Sequence, residues 1–522
     1  MSTSLRSNPM CLHVGAKTTL FALILLSVSC RKEAYITDQS ISPQQEVIHA
    51  GDHHELHQFF FSPLHNPSYL TDTIWMQVDG DMITGRTPYL MNRKSLIPSF
   101  ETKAVSVVVN GMKQESGNTP HDFTEPVTYR TIGYNGALKD YKVKLINFTG
   151  LPVIKIDTKN GAGIDSKDIY VDANISVDGA GSYDDFAGEM KIKGRGNYTW
   201  TLPKKPYKMK FNNKTALFGE GEDKEWVLLA NHADRSQLRT SAAFYLGQLS
   251  ALDWTPDAHF AELFLNGVYQ GTYQLCEGIK AGESRVNIPK DGYLLEVDQE
   301  HRMEPGDVYF KTAKMLVNIK EPALVQNDTK YNYVTQYLAD AEGALFGADF
   351  KNPANGYAKY LDVPSFIDWY LVNEITKNND AVFYSSCYMN LTPKGKLKMG
   401  PIWDFDIAFG NTTVNGNDSP DGFWVNQSPW MSRLFEDPAF AKQVAARFRH
   451  FKSNEAALIS YIETNAVKLK WSAIENNNKW QTLYAGIWPN ENIVVSYNDE
   501  VIKLKTWFTA RMAWLDKEFA TF

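Results

Sequence analysis

Short runs in which apolar and polar positions alternate fill the chain from residue 55 to about residue 148. Successive side chains of a β-strand point to opposite faces, so this alternation predicts strands with one buried face. Turn signals such as Asn110-Gly111 and Asn135-Gly136 separate the runs. The spacing predicts an all-β sandwich over residues 55–148. No catalytic constellation falls within it, so we expect a spacer or binding module.

Residues 149–522 mix two periodicities. Strand-like runs dominate as far as about residue 320, among them residues 150–158, 204–211, 262–277 and 291–298. Apolar residues at helical spacing then recur in residues 331–345, 363–373, 440–451, 456–469 and 501–519. This order predicts an α+β fold that ends in a helical C-terminal lobe.

Length and charge narrow the class of protein. The chain has 522 residues, of which 43% are hydrophobic, enough to bury large cores, and this length predicts two or three domains. The net charge of −7 argues against a broad nucleic-acid-binding surface. No apolar stretch of about 18 residues follows the N-terminus, so no internal membrane span is predicted.

The first thirty residues have the features of a secretion signal. Positive charge at Arg6 and Lys17 precedes a short apolar core over residues 19–28. A serine and Cys30 close this core and resemble a loose bacterial lipobox, which makes Cys30 the lipidated first residue of a mature lipoprotein. The alternative is an ordinary cleaved signal with an incidental cysteine. With residues 31–54 as a linker, we expect an extracytoplasmic protein, lipid-anchored to the bacterial cell envelope on its outer-membrane or periplasmic side.

Two cysteines, Cys276 and Cys387, remain after the signal and the lipidation site are set aside. In an oxidising compartment they are able to form one disulfide. Two buried thiols fit the sequence equally well.

A basic, glycine-rich motif occupies residues 191–211. Gly194 and Gly196 flank Arg195, an arrangement in which backbone N–H groups approach an anion while the guanidinium binds it. In the following strand Lys208 and Lys210 fall on one face and three apolar residues fall on the other. A triphosphate needs basic side chains beside such a turn. The alternative is a solvated basic edge strand.

Two carboxylates, Asp404 and Asp406, follow a strand-like apolar lead. Residues i and i+2 of a strand point to the same side, so both carboxylates are expected to face one spot. The apolar residues between and beside them, which are expected to face the interior, are Trp403, Phe405 and Ile407. Two close like charges repel unless a cation or a proton lies between them, and Mg²⁺ takes oxygen ligands of this kind. The alternative is a strand end whose carboxylates face water.

Asp380 lies in a polar loop between a predicted helix and a predicted strand, twenty-four positions before Asp404. A carboxylate in such a loop is able to act as a base or to orient a nucleophile. Protein kinases use the same order of roles, with a catalytic-loop aspartate ahead of a metal-binding aspartate. The standard motif strings of cytosolic kinases are absent, which excludes a typical member of that class.

Five ordered strings in this chain resemble the CotH family of secreted, spore-coat-type atypical kinases. They are Lys-Gly-Arg-Gly-Asn-Tyr-Thr-Trp (193–200), Lys-Lys-Pro-Tyr-Lys-Met-Lys-Phe (204–211), Leu-Leu-Ala-Asn-His-Ala-Asp-Arg-Ser-Gln-Leu-Arg (228–239), Leu-Asn-Gly-Val-Tyr-Gln-Gly-Thr-Tyr (265–273) and Pro-Ile-Trp-Asp-Phe-Asp-Ile-Ala-Phe-Gly (401–410). The resemblance covers about residues 150–460. It implies an atypical protein-kinase-like domain over residues 149–522 that binds ATP and Mg²⁺ or Mn²⁺ and phosphorylates Ser or Thr of a protein substrate.

The resemblance also implies roles for individual residues. Asp380 is the expected catalytic residue, Asp404 the expected metal ligand, and Asp406 a second ligand or a structural hydrogen-bond partner. The candidates for contacts with the phosphates are Arg195, Lys208, Lys210, Lys320 and Arg239. A separate resemblance, of residues 122–143 to Ig-like modules of bacterial surface lipoproteins, makes the sandwich over residues 55–148 an expected Ig-like domain.

Three functions are compatible with these observations. We favour an ATP-dependent protein kinase outside the cytoplasm. The alternative is a catalytically inactive surface lipoprotein that binds glycan or protein through its kinase-like and Ig-like modules. A metal-dependent phosphohydrolase that uses Asp404 and Asp406 is a third reading, but it lacks nearby histidine ligands. No nucleic-acid partner is expected, and contact with the membrane is expected through the lipid anchor alone.

Overall fold

The computed structural model describes residues 54–490 and 493–522. The predicted signal sequence, the predicted lipidation at Cys30 and nearly all of the linker over residues 31–54 lie outside these residues. Within them the fold is α+β, as predicted, with a β-rich N-terminal part and a helical C-terminal part. No helix in the described part of the chain combines the length and the apolar character needed to cross a membrane.

Two sheets make up the N-terminal part. Their strands are β1 (Leu56–Phe61), β2 (Ile74–Trp75), β3 (Gln77–Asp79), β4 (Met82–Thr87), β5 (Ser99–Thr102), β6 (Ser106–Val109), β7 (Met112–Lys113), β8 (Val127–Ile132) and β9 (Leu138–Asn147). The strand orders are β2-β1-β5 and β3-β4-β9-β8-β6-β7. Alternate residues such as Phe59, Tyr129 and Val143 are buried in one shared core. The Ig-like character of this region stays a prediction.

A closed barrel follows. Its elements are β10 (Val153–Thr158), β11 (Val171–Asp178), β12 (Phe186–Gly194), α1 (Tyr198–Thr201), β13 (Tyr207–Thr215), β14 (Asp223–Leu229), α2 (Arg239–Gln248), β15 (Ala258–Leu265) and β16 (Val268–Glu277). The order is β10-β11-β12-β13-β14-β16-β15, and parallel pairing of β10 with β15 closes it. In β13 the alternate residues Tyr207, Met209 and Phe211 are buried inside the barrel. Lys208 and Lys210 therefore share the outer face, as predicted.

A second sheet and two helices come next. They are β17 (Tyr293–Val297), β18 (Tyr309–Lys311), β19 (Leu316–Glu321), α3 (Thr329–Phe346), α4 (Val363–Thr376), β20 (Cys387–Leu391) and β21 (Leu397–Met399). The strands pair antiparallel in the order β18-β19-β17-β20-β21. From Ser365 to Thr376 every residue of α4 is buried, so this helix is the axis of the second half of the molecule.

The C-terminal part is helical. Its helices are α5 (Pro429–Leu434), α6 (Pro438–Ser453), α7 (Glu455–Lys468), α8 (Lys470–Trp480) and α9 (Tyr497–Phe519). The three longest agree with the predicted helices to within a few residues. The structure adds α8, whose asparagine-rich sequence carries no clear apolar stripe. Helices α6 and α9 both pack on α4 and so enclose it.

Candidate active site

One cavity of about 710 Å³ lies between the barrel and the second sheet. The barrel contributes residues of β12, β13 and β14, and the sheet contributes residues of β17, β19 and β20. Charged side chains of both signs line it: Lys167, Lys193, Arg195, Lys204, Lys208, Arg302 and Lys320, together with Glu225, Glu296, Asp298, Glu304, Asp307, Asp380, Asp404 and Asp406. The cavity therefore brings together most of the residues that the sequence singled out.

Asp404 and Asp406 both reach the cavity, but from an irregular loop and not from a strand. Strand β21 ends at Met399, and the proline at position 401 has no N–H with which to continue the ladder. Asp404 has a φ of 68°, in the left-handed region that aspartate tolerates better than most residues. The predicted strand alternation over residues 403–407 is wrong here, although the two carboxylates still face one space.

The apolar neighbours of these carboxylates divide between the core and the cavity. Phe405 is fully buried. Trp403 is buried against Phe244 in the core, as predicted, and also borders the cavity, whereas Ile407 is only half-buried and lines the cavity. The Arg195 guanidinium lies 5.5 Å from the centre of the Trp403 ring. The loop thus presents an aromatic face beside its two carboxylates.

The carboxylates of the loop carry raised pKa values. Burial raises the pKa of Asp404, and the charge of Asp380 raises it further against the effect of Arg195. Burial also raises the pKa of Asp406 to about 8, with Asp404 as the next cause. A concentration of carboxylates that holds its protons tightly is a place where a divalent cation is able to replace them. Oxygen donors alone make a set that suits Mg²⁺ or Mn²⁺.

The loop that carries Asp380 begins where helix α4 ends. Lys377 stops the helix in the left-handed conformation, with a φ of 50°. The two oxygens of Asp380 then each accept one hydrogen bond, from Ser385 Oγ at 3.0 Å and from Asn379 Nδ2 at 3.1 Å. Arg302 Nη1 donates to the same Ser385 hydroxyl at 2.6 Å. These contacts fix the plane of the Asp380 carboxylate at the cavity wall.

A buried ion pair behind this loop was missed by the sequence reading. Arg511 of α9 and Glu374 of α4 are both fully buried, and their side chains lie 2.5 Å apart. Glu374 also accepts the backbone N–H groups of Trp424 at 2.8 Å and Val425 at 2.7 Å. The Trp424 indole donates to the Asn379 carbonyl at 3.0 Å. Helix α9 therefore braces the loop from behind.

Three of the predicted basic residues line the cavity: Arg195, Lys208 and Lys320. Lys208 lies 2.9 Å from Glu225 on the neighbouring strand, and Lys320 lies 3.4 Å from Glu296. Each lysine is thereby held near the cavity wall while part of its side chain stays accessible.

The other two predicted phosphate contacts lie elsewhere. Lys210 is half exposed on the outer face of the barrel, 3.8 Å from Glu225, and does not reach the cavity lining. Arg239 is fully buried between Asp234, at 2.5 Å, and Glu500, at 2.7 Å. Its charge is neutralised inside the protein, so it is a structural residue.

The glycine-rich turn also differs from expectation. The N–H of Gly194 donates to Ser166 O at 2.8 Å and the N–H of Arg195 donates to Pro206 O at 3.2 Å. These two amides are therefore not available to an anion, although Gly194, Arg195 and Gly196 all line the cavity. The two remaining cysteines, Cys276 and Cys387, are separate buried thiols and form no disulfide.

Further cavity residues had no signal in the sequence. Arg302 ends a single 3₁₀ turn, Glu300–Arg302, after β17, and Ser386, in the loop before β20, donates to Asp404 at 3.4 Å. Because neither segment has a periodic pattern, only the folded chain reveals these neighbours.

Comparison with known proteins adds one strong match. The family model described as CotH kinase protein matches residues 192–515, more than half of the chain. No curated protein matches the chain significantly. A crystal structure from Bacteroides thetaiotaomicron, named provisionally as a glycoside hydrolase, is 13% identical, covers 56% of this chain and 89% of its own, and has a TM-score of 0.16. At that TM-score the likeness supports no conclusion about fold or function.

Proposed function

The chain belongs to the CotH kinase family, and from this membership we propose that it is an atypical protein kinase that acts outside the cytoplasm. It transfers the γ-phosphoryl group of ATP to a Ser or Thr hydroxyl of a protein substrate. The observation that carries the proposal is the convergence of Asp380, Asp404 and Asp406 with basic side chains in one cavity. Phosphoryl transfer depends on such positioning and charge compensation more than on covalent chemistry.

Asp404 and Asp406 are the residues that would hold Mg²⁺ or Mn²⁺. When bound, the cation would neutralise negative charge on the oxygens of the leaving diphosphate and of the transferred γ-phosphoryl group. The two aspartates must lose their protons to bind it, because a carboxylate coordinates as the anion. Ser386, which donates to Asp404, then fixes the direction of one carboxylate oxygen.

Asp380 orients the acceptor. Its two hydrogen bonds, from Ser385 and Asn379, leave further lone pairs on both oxygens free to accept a substrate hydroxyl. In the reaction a bond forms between the hydroxyl oxygen and the γ-phosphorus, and the bond from that phosphorus to the bridging oxygen breaks. The hydroxyl proton passes to Asp380, and ADP leaves with the electron pair of the broken bond.

Arg195, Lys208 and Lys320 supply the positive charge for the phosphates. Glu225 and Glu296 keep the two lysines in place, so little side-chain entropy is lost when a phosphate binds. Arg195 is positioned by the Trp403 ring. Positive groups fixed before the reaction need no reorganisation as charge moves toward the leaving oxygen.

The location and the partners are part of the proposal. The predicted secretion signal and the predicted lipidation of Cys30 support a lipid-anchored protein of the bacterial cell envelope, and the substrate is then another protein exposed there. The predicted Ig-like domain over residues 55–148 would act as a spacer or a binding module between anchor and kinase.

The first experiment measures thermal unfolding of purified residues 31–522 with ATP, with and without Mg²⁺ or Mn²⁺. A ligand present at 100 times its Kd adds about 2.7 kcal/mol to the stability of the native state, which raises the melting temperature by several degrees. We expect the shift to need both nucleotide and metal and to disappear in Asp404→Asn. Asp340→Asn, an exposed carboxylate on α3, is the matched control and should keep the shift.

Asp380→Asn separates binding from chemistry. It should keep the metal-dependent shift but lose transfer of radiolabelled phosphate to a mixture of envelope proteins. If the wild-type protein shows no shift with either metal, the kinase proposal is wrong, and binding of glycan or protein by an inactive scaffold becomes the function to test.

A further inference from the structure

A second group of possible metal ligands lies on the outside of the barrel. Glu220 belongs to the connection between β13 and β14, Asp257 immediately precedes β15, and His259 is the second residue of β15. One ligand atom from each lies within 4.8 Å of the other two. None of the three lines the cavity described above, so this group is separate from the candidate active site.

The imidazole of His259 is already oriented toward the carboxylates. Its Nε2 lies 2.7 Å from Glu220 Oε1, while its Nδ1 lies 3.1 Å from the Tyr183 hydroxyl. Tyr183 is in turn stacked on Phe218, with ring centres 4.6 Å apart. A partner on the far nitrogen is what metal-binding histidines use to fix the ring and its tautomer.

The local charge is not balanced by lysine or arginine. Among the described residues, Glu220 forms an ion pair with His259 alone, and Asp257 forms none. Asp257 accepts hydrogen bonds from Gln248 Nε2 at 3.1 Å and from the backbone of Ala258 at 2.8 Å, both neutral donors. Two partly buried carboxylates therefore lie within 4.8 Å of each other, and among the described residues His259 is the one ion-pair partner that they have.

We propose that Glu220, Asp257 and His259 bind one divalent transition-metal ion, and that zinc is the ion that fits best. One imidazole nitrogen with two carboxylate oxygens is a zinc-type donor set, whereas Mg²⁺ and Ca²⁺ prefer oxygen ligands only. Two ligand atoms of a tetrahedral zinc site are about 3.3 Å apart, because each lies about 2.0–2.1 Å from the metal. The three ligand atoms lie within 4.8 Å of one another without the ion, so binding would draw them closer through rotation of the two partly exposed carboxylates.

The bound ion would join three parts of the barrel. It would link the β13–β14 connection to β15, and through Tyr183 it would also steady the turn between β11 and β12. We therefore assign the ion a stabilising role that does not depend on phosphoryl transfer.

The test uses protein of residues 31–522 that carries Asp404→Asn and Asp406→Asn, so that the other candidate metal site is removed. After treatment with a chelator, zinc is titrated by calorimetry, and the zinc content is measured by atomic emission after dialysis. We expect one zinc per chain and a higher melting temperature with zinc. Adding Asp257→Asn or His259→Gln should weaken binding at least a hundred-fold.

Two further variants make the result specific. Asp253→Asn removes a nearby exposed carboxylate that pairs with Lys398, and it should bind zinc like its parent. Tyr183→Phe should weaken binding about ten-fold through loss of the hydrogen bond to His259. Circular dichroism checks that each variant folds. If the parent binds no zinc, or if Asp257→Asn and His259→Gln bind as tightly as the parent, the group is a hydrogen-bonded triad only and the proposal fails.

Discussion

Replacing Arg511 with methionine removes the buried charge that joins helix α9 to helix α4. The guanidinium of Arg511 donates to Glu374 Oε1 at 2.5 Å, to Glu374 O at 2.9 Å, and to the carbonyls of Pro420 and Gly422 at 2.7 and 2.8 Å. Both charged side chains are fully buried. Methionine has similar length, so the loss is one of charge and hydrogen bonds more than of volume.

Breaking a buried ion pair by removing one partner typically costs about 3–5 kcal/mol. The Glu374 carboxylate keeps the N–H groups of Trp424 and Val425 as donors, so some of its charge stays compensated. We therefore expect Arg511→Met to lower the free energy of unfolding by about 3 kcal/mol, at the low end of that range. The matched control, Lys505→Met on the same helix, removes a partly exposed pair with Glu463 and should cost less than about 1 kcal/mol.

The assay is guanidinium unfolding followed by tryptophan fluorescence, for wild type, both single variants, Glu374→Gln, and the double variant Arg511→Met/Glu374→Gln. The double variant should cost at least about 1 kcal/mol less than the sum of its singles, because neither buried charge is then left alone. Hydrogen exchange over residues 377–386 should also rise in Arg511→Met. Equal costs for Arg511→Met and Lys505→Met would refute the argument that α9 braces the loop.

Three further results follow from the structure. Burial lowers the pKa of Lys204 to about 7, against about 10.4 in an unfolded chain. Between these two pH values the unfolded state holds more protons, so the stability of the wild type should rise with pH relative to that of Lys204→Met. A stability difference between the two proteins that does not change with pH would contradict this. Gly410→Ala should lower the free energy of unfolding by about 2 kcal/mol, seen as a lower midpoint of urea unfolding, because Gly410 has a φ of 71° and a Cβ there would lie 2.5 Å from the Trp507 indole. An unchanged midpoint would refute this prediction. Burial raises the pKa of the Cys276 and Cys387 thiols, so an aromatic disulfide reagent should label neither thiol in the native protein. The same reagent should label both thiols in guanidinium. Labelling of either thiol in the native protein would disprove the prediction.

Local pattern was enough to predict much of this architecture. The alternation in β13 correctly separated its inner and outer faces, because a strand has a fixed period of two. The long C-terminal helices were found because their apolar stripes face a core. The cavity also collects Asp380, Asp404 and Asp406, which the order of motifs had brought together.

The predictions that were wrong failed because no local sequence pattern encodes the feature concerned. Arg239 had the sequence context of a phosphate ligand, yet its partner Glu500 is 261 residues away, and no local pattern reports such a pairing. Asp404 was assigned to a strand because an alternating sequence does not reveal where a ladder stops or a residue turns left-handed. Side chains in short turns between strands, such as Arg302, are located only by the tertiary structure.

The Glu374–Arg511 pair also makes the Asp380 loop depend on a distant part of the chain. The two residues are 137 positions apart, whereas strands of the N-terminal sheets pair with partners much closer in the chain. A chain cut before α9 would keep the residues of the barrel wall of the cavity but would lack the brace of the Asp380 loop. Competence for the proposed phosphoryl transfer would then depend on this one helix, so a truncated chain would be inactive.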